Sequence, residues 1–501
     1  MTRAVIPSMF LLFHVSVSHA ETLRSALLRT ISQNPTVNAQ RANVSAVVEK
    51  LTQARAGYLP KLNATAELGR QSQSYTTRNS TSDTGLSPGD PGYGQSSSTS
   101  SWQISPRGAG LEVRQTLFDG GKTASAVEQA RSLIDGANQG LRVVEQETLF
   151  ATMAAYVNVI RASQILQINR DNVAFLTGQS SVIRERHGFG DVTGVDLAQT
   201  QGRLAEARYR LSSAEAMLNA ARAEYRQITG QFPDNLLAPK PLQHALPRDA
   251  NGAVAMAVRS HPAILAAAHA VEAARAQIRI AQSDFLPTVG LSASMTRRYD
   301  VGSSGDRQTQ ASVMGKITFP LFDGGATASR VRESRSTSGQ RELELDAARD
   351  AVRSAVFSSW GVFVAARAQL TAAETRASAS GGAVRGVGQQ YQMGEKSLSD
   401  LLNAQQEFVA ARESLVTAKR DLVVASFNIV RATGALTLDN LHADLRDVAP
   451  RDSFAPTPVV REWRLRPSPV DAARGACADC ASDMMDWGLR SSPGLFLKPT
   501  L

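Results

Sequence analysis

Two carboxylates at equivalent places in a repeated pattern are the residues of this chain best placed to do chemistry. Asp196 closes Thr193-x-x-Asp196 and Asp400 closes Ser397-x-x-Asp400. A Ser or Thr three residues ahead of an acid is a capping box, in which hydroxyl and carboxylate satisfy the first backbone N–H groups of a helix. An acid in that position can also meet a cation. Gly190 and Gly394, ahead of these acids, are what a tight turn needs. A second pair, Asp119 and Asp323, stands in Leu117-Phe118-Asp119-Gly120-Gly121 and Leu321-Phe322-Asp323-Gly324-Gly325. These read as helix caps rather than ligands. The seven histidines are scattered, none in an HxxxH or HExxH pair, and Ser and Asp are too common here for proximity to mean anything. No enzyme, metal or cofactor is expected. Cys477 and Cys480 are too few for a four-ligand zinc site, and in an oxidising compartment they could form a local disulfide.

The elements that position these acids occur twice. Residues 391–434 repeat 187–230 at a displacement of 204 without a gap. In the later copy one face reads Leu401, Phe408, Leu415, Leu422, Ile429, and three places on it reads Ala404, Ala411, Ala418, Ala425, Ala432. The earlier copy has Leu197, Leu204, Leu211, Leu218, Tyr225 against Thr200, Ala207, Ala214, Ala221, Ile228. A seven-residue repeat held this strictly predicts a left-handed coiled coil, and alternating large with small residues lets helices approach closely.

Upstream, a helical pattern over about 22–57, marked by Asn34-Pro35, returns 227 residues later with His261-Pro262. Tyr58-Leu59-Pro60 likewise matches Phe285-Leu286-Pro287. After Pro60 and Pro287 the period becomes two: Leu62, Ala64, Ala66, Leu68, and Val289, Leu291, Ala293, Met295, with polar residues between. Each predicts a strand with one apolar face. Polar loops follow at about 71–101 and 297–310, then returning strands Leu111, Val113, Gln115, Leu117 and Val313, Gly315, Ile317, Phe319, Leu321. The displacement falls from 227 to 204 across the hairpin, so the first loop is 23 residues longer and belongs at an exposed tip. Beyond each Gly pair a proline-free helical stretch would reach roughly 100 Å.

Arg3, an apolar run at 9–17 and Ser18-His19-Ala20 read as a secretory signal over 1–20. The expected organisation is a first repeat, 21–230, with hairpin 59–118, long helix 121–187 and helix 196–230. A linker follows at 231–251. The second repeat, 252–434, has hairpin 286–322, long helix 325–391 and helix 398–434. A segment at 435–449 and a mobile tail over 450–501 complete it. No run of about 18 apolar residues follows the signal, so no helix is expected to span a membrane, which says nothing against barrel strands. The net charge of +9 would suit nucleic acid in a cytoplasmic protein. In an exported chain with scattered arginines that partner drops out.

Four strands with one apolar face cannot close a barrel, and the smallest membrane barrels have eight, so the chain must associate. In the doubled junctions at Pro60 and Pro287, the doubled Leu-Phe-Asp-Gly-Gly and the run Tyr391-x-x-Gly394-x-x-x-x-x-Asp400-Leu401-Leu402-x-Ala404-Gln405, the chain resembles the TolC family of outer-membrane efflux and secretion proteins over about 22–445. The resemblance implies a mainly α protein with membrane β: a homotrimer whose four strands per chain make one 12-stranded outer-membrane barrel. A tunnel of helices would continue through the periplasm, with an equatorial region near 231–251 and 435–449. It implies a passive exit duct served by a periplasmic adaptor and an inner-membrane ABC or proton-driven transporter. Polypeptide export by type I secretion is the leading expectation, since no lipid-anchor cysteine stands near the expected cleavage site; small-molecule efflux is the alternative. A trimeric coiled-coil adhesin or spacer would not explain two embedded hairpins. By the same resemblance Gly190 and Gly394 lie at the periplasmic tip that meets the adaptor. Tyr391 and Lys396 would bond to Asp196 of a neighbouring helix pair and hold the entrance shut. Asp400 would face the axis, and Asn403, where family members often carry a second Asp, implies weaker cation block.

Overall fold

The computed structural model describes residues 21–79, 96–242, 244–302 and 304–441. The expected signal, the expected tail, Cys477 and Cys480 lie outside the described residues. In chain order the elements are α1 (Leu23–Gln33), α2 (Pro35–Arg55), β1 (Lys61–Leu68), β2 (Gln71–Asn79), β3 (Ser96–Ile104), β4 (Arg107–Phe118), α3 (Lys122–Gly188) and α4 (Gly194–Thr229). There follow α5 (Ala250–Ser260), α6 (Pro262–Ser283), β5 (Thr288–Tyr299), β6 (Arg307–Thr318), α7 (Ala326–Gln392), α8 (Leu398–Ala432) and the short α9 (Leu438–Leu441).

The long helices α3 and α7 have 67 residues each. Along α3 lie α2 and α4 from its own repeat and α6 and α8 from the other, while α7 carries α5, α6 and α8. Long helices thus run beside shorter ones in both repeats. The joints between short helices follow from local chemistry. Pro35 and Pro262 open α2 and α6, where a missing N–H costs nothing, and Asn34 and His261 cap them by accepting from Thr36 N–H at 2.9 Å and Ala263 N–H at 3.2 Å. On α8 the stripe Leu401, Leu422, Ile429 is buried as the heptads require, with Ala411, Ala418, Ala425 and Ala432. A further heptad line, Leu402, Val409, Val423, Val430, is buried as well, because α8 packs on both α7 and α3.

Two stretches, within Lys122–Gly188 and Ala250–Ser283, do reach the length and apolarity of a spanning helix. The second is interrupted at His261-Pro262. In the first, Leu149, Met153, Tyr156, Val157 and Leu166 are packed into a protein core. That core is joined by Leu27 from α1, Phe427 from α8, Leu242 from the expected linker, and Leu436 and Leu441 from the segment after α8. The proline-rich connection is therefore tied down by its leucines. Glu21, α3, α4 and this connection meet at one point: the Tyr156 hydroxyl lies 2.7 Å from Glu21 O and 2.8 Å from Leu237 O, between two acceptors for its one proton. Tyr225 donates to Glu21 Oε1 at 2.8 Å, as does Arg29. Burial first, then the Glu21 carboxylate, pushes both phenols well above their ordinary pKa.

The strands form an antiparallel sheet in the order β1-β4-β5-β6, with β2 and β3 paired separately. Three sequence expectations need correction. The second loop, read as about 297–310, is narrower, because β5 runs to Tyr299 and β6 starts at Arg307. Residues 71–79 and 96–101, inside the stretch read as loop, are strand: 71–79 pair with 96–104 from Gln71↔Ile104 to Asn79↔Ser96 and lengthen the first hairpin. Ser and Thr occupy both faces there, so backbone pairing proceeds without an apolar alternation to announce it. The fourth strand, expected to reach Leu321, ends at Thr318. Pro320 has no N–H to donate and restricts Phe319, which stops the ladder. At the end of β4 the register shifts between Thr116 and Phe118, a bulge at Leu117.

Candidate functional site

The tip turns are built by the helix ends. Past the last residue of α3, Gly190 takes φ +80°, a left-handed conformation that costs glycine no Cβ clash. Asp191 N–H then reaches Arg186 O at 2.9 Å and Gly190 N–H reaches His187 O at 3.0 Å, which satisfies carbonyls the helix leaves open. Gly394 repeats this at φ +79°, with Glu395 N–H on Gln390 O at 2.8 Å and Gly394 N–H on Tyr391 O at 3.1 Å. Both capping boxes then form. Asp196 N–H donates to Thr193 Oγ1 at 3.2 Å, and Asp196 Oδ2 accepts from Thr193 N–H at 3.1 Å and its hydroxyl at 2.6 Å. For Asp400 and Ser397 the same bonds measure 3.2, 3.1 and 2.8 Å. The Thr193 bonds hold the Asp196 carboxyl below its ordinary pKa, and the Ser397 bonds, helped by Lys396, do the same for Asp400. Both acids are ionised at neutral pH.

Within the chain, Tyr391 and Lys396 are not brought onto Asp196. Tyr391 packs, half-buried, against the tip cluster of Leu176, Ile183, Leu204, Leu398 and Leu402, and Lys396 is exposed. Asn403 instead accepts from Arg203 Nη2 at 3.0 Å, while Arg203 Nη1 donates to Gln406 Oε1. Arg203 thereby ties α4 to α8 just above the turns. Sequence reasoning missed it, because its repeat counterpart is Glu407 and nothing in the heptad pattern marks a cation that reaches across to another helix. The turns themselves carry apolar side chains in water: Phe189 is 77% exposed, Val195 75% and Met393 66%.

At the opposite ends of the long helices stand the strand junctions. Pro60 and Pro287 lie directly before β1 and β5, where the N–H they lack is needed by neither helix nor ladder. Asp119 Oδ1 accepts from Gly121 N–H at 3.1 Å and Oδ2 from Thr123 N–H at 2.7 Å; Asp323 accepts from Gly325 at 3.0 Å and Thr327 at 2.7 Å. For Asp119 burial opposes ionisation, but the Thr123 hydroxyl and these N–H groups outweigh it and lower the pKa; for Asp323 the Thr327 bonds lower it. Gly120 and Gly324 share φ +67° and Gly121 and Gly325 follow at +82° and +88°. Their surroundings differ. A Cβ on Gly120 would lie 2.7 Å from Leu286 Cβ and 2.9 Å from Ser283 O, whereas among the described residues nothing stands within 4 Å of the same point on Gly324.

Residues 27–231 and 253–435, nearly all of both repeats, match the family model described as outer membrane efflux protein. The chain belongs to this family. It is 31% identical over 437 residues to the outer membrane efflux protein BepC of Brucella suis, covering 87% of this chain and 90% of that one. It is 26% identical over 323 residues to the alkaline protease secretion protein AprF of Pseudomonas aeruginosa, covering 60% and 64%. Its fold is that of the crystal structure of the open-state Neisseria gonorrhoeae MtrE outer membrane channel, with a TM-score of 0.67 at 18% identity over 83% of this chain and 90% of that one. As a TolC-like member of the outer membrane efflux protein family, the chain is an outer-membrane channel protein that extends into the periplasm, not an enzyme. Family members are the outer-membrane components of tripartite systems with an adaptor and an inner-membrane transporter.

Proposed function

We propose that three copies of this chain close one 12-stranded barrel in the outer membrane and a helical tunnel beneath it, forming the passive exit duct of a type I secretion system for polypeptides. The observation that carries the ring is the sheet itself. Its edges β1 and β6 are open, while its inner pair β4–β5 already joins the first repeat to the second. An open edge in lipid costs several kcal/mol per unpaired group, so β6 of one copy must meet β1 of the next. The polypeptide branch is supported by the likeness to a protein named for protease secretion. The likeness to BepC, named for efflux, supports small-molecule export as the second reading. Deleting the gene and following secreted protein in the medium beside sensitivity to toxic small molecules separates them; loss of efflux with secretion intact would overturn the first.

In this reading the tips meet the adaptor through the turns at Gly190 and Gly394, and the entrance is held closed there. Each cap uses Oδ2 of its acid. Oδ1 of Asp196 is then available to a second donor, and Tyr391 and Lys396 of an adjoining copy are donors of the right kind. Each such exposed bond is worth about 1 kcal/mol, so three symmetric copies favour closure by about 3 kcal/mol or more. Replacing Tyr391 by Phe and Lys396 by Ser should raise single-channel conductance in planar bilayers. Asp400→Ala should separately weaken block by divalent cations added from the periplasmic side. Unchanged conductance together with unchanged block would leave these residues as turn and cap residues only.

A further inference from the structure

The two faces of the sheet end differently at their outer margin. In β5 the apolar face carries Val289, Leu291, Ala293 and Met295, and the same parity continues through Arg297 to Tyr299. Register places Arg107 of β4 and Arg307 of β6 directly beside Tyr299 on that face. The three guanidinium carbons of Arg107, Arg297 and Arg307 lie 5.5, 5.5 and 5.4 Å from the Tyr299 ring centroid. The ring is half-buried among them while all three arginines stay exposed. On the other face Arg298 is matched by Glu67 at 2.6 Å. Among the described residues Asp300 lies 3.8 Å from Arg107, with its other oxygen accepting from Gly305 N–H at 2.6 Å, and Asp306, whose carbonyl accepts from Asp300 N–H at 2.8 Å, adjoins Arg307.

We propose that this triad binds the phosphate of a phosphorylated lipid headgroup in the outer leaflet, an inference that rests on the barrel reading above. Three cations gathered at the end of an apolar face repel one another, and an anion between them relieves that repulsion. Guanidinium groups held against an aromatic ring keep their N–H edges free, and those edges match phosphate oxygens bidentately. The tyrosine fixes the arginines by cation–π contact and itself belongs at a membrane interface. Position decides the source of the phosphate. Twelve residues of β5, tilted as barrel strands are, raise Tyr299 roughly 30 Å above the helix junction, about the height of the hydrocarbon band. The triad therefore sits at headgroup level on the lipid side. Because β4, β5 and β6 belong to one chain, each copy carries a complete site.

The test uses the full-length protein purified in non-ionic detergent and stripped of lipid. It is titrated with diphosphoryl lipid A, with the dephosphorylated lipid of the same acyl chains, and with inorganic phosphate, and bound lipid is counted by native mass spectrometry. The phosphorylated lipid should bind at least about ten-fold more tightly than its dephosphorylated form, and inorganic phosphate should not compete at equal concentration. Replacing Arg107, Arg297 and Arg307 by Gln should cost about ten-fold in affinity per guanidinium removed, with channel conductance unchanged. Equal binding of both lipids by a wild-type protein that conducts overturns the site alone. Competition by free phosphate overturns the lipid as its ligand. A wild-type protein that never inserts into bilayers overturns the barrel reading, and this site with it.

Discussion

Leu117-Phe118-Asp119-Gly120-Gly121 and Leu321-Phe322-Asp323-Gly324-Gly325 are the same five residues in two surroundings. The first is packed: Gly120 abuts Leu286 and Ser283, where the second repeat passes from helix to strand. The second is bare, with Leu321 86% and Phe322 90% exposed. One chain thus contains one complete junction between repeats and half of another. In the proposed ring the missing half is the helix-to-strand passage of a first repeat, Tyr58-Leu59-Pro60, supplied by a second copy. The complete junction is therefore a template for the contact between copies.

The largest expected effect tests whether the template transfers. Gly120→Ala adds left-handed strain and a 2.7 Å clash, and should destabilise the chain by about 2–4 kcal/mol. If Leu59 of a neighbour sits against Gly324 as Leu286 sits against Gly120, Gly324→Ala should lower the heat resistance of the assembled protein comparably, seen as the temperature at which it dissociates on denaturing gels. A distinctly milder effect at Gly324 would mean that no neighbour packs there.

A smaller contrast lies in the main core around Glu21. Tyr156 and Tyr225 of the first repeat bind Glu21, whereas their counterparts 204 residues on are Trp360 and Ile429. Tyr156→Phe should cost about 1–3 kcal/mol by removing the one proton that the Glu21 and Leu237 carbonyls share, with Glu21 O keeping the Leu237 N–H at 3.2 Å, read as a lower thermal midpoint. Both phenols have raised pKa values in the fold, so the stability they supply as neutral groups is complete below the ordinary value of 10.0 and is lost as pH rises toward the folded values. An alkaline titration should show stability falling above pH 10.0 in the wild type and less so in Tyr156→Phe.

The smallest effect concerns the caps. Asp119, Asp196, Asp323 and Asp400 have lowered pKa values, so their contribution is complete above the ordinary 3.8 and is lost as pH falls through the folded values. Substituting any one by Asn should remove that contribution at neutral pH and flatten the acid limb below pH 3.8, so that variant and wild type converge as pH falls. An unchanged acid limb would show that the caps do not titrate with folding.

How much of this was legible in the sequence depended on whether a residue's role follows from a period. The long helices, the apolar strands and the caps were, because heptads, alternation and Thr-x-x-Asp are local and repeated. The hairpin extension at 71–79 and 96–104 was not, since its pairing is carried by backbone groups beneath polar side chains of both faces. Pro320 was visible and marks where the fourth strand stops. Arg203 and the arginines around Tyr299 act across elements far apart in sequence, so only the fold brings them to their partners.

The contact between copies can be tested at a single pair. In the chain Val113 faces Ala293 across β4–β5. Displacement by 204 carries Val113 to Ile317, and displacement back by 227 carries Ala293 to Ala66, so Ile317 of one copy should face Ala66 of the next. The same mapping sets Lys316 opposite Glu67, an opposite-charge pair. With Cys477 and Cys480 replaced by Ser, the double variant Ile317→Cys, Ala66→Cys should form disulfides between copies under mild oxidation in the outer membrane. A closed ring of three gives a covalent ladder that ends at the trimer on a non-reducing gel. Absence of cross-linking in assembled protein, or a ladder that runs past three, would contradict it.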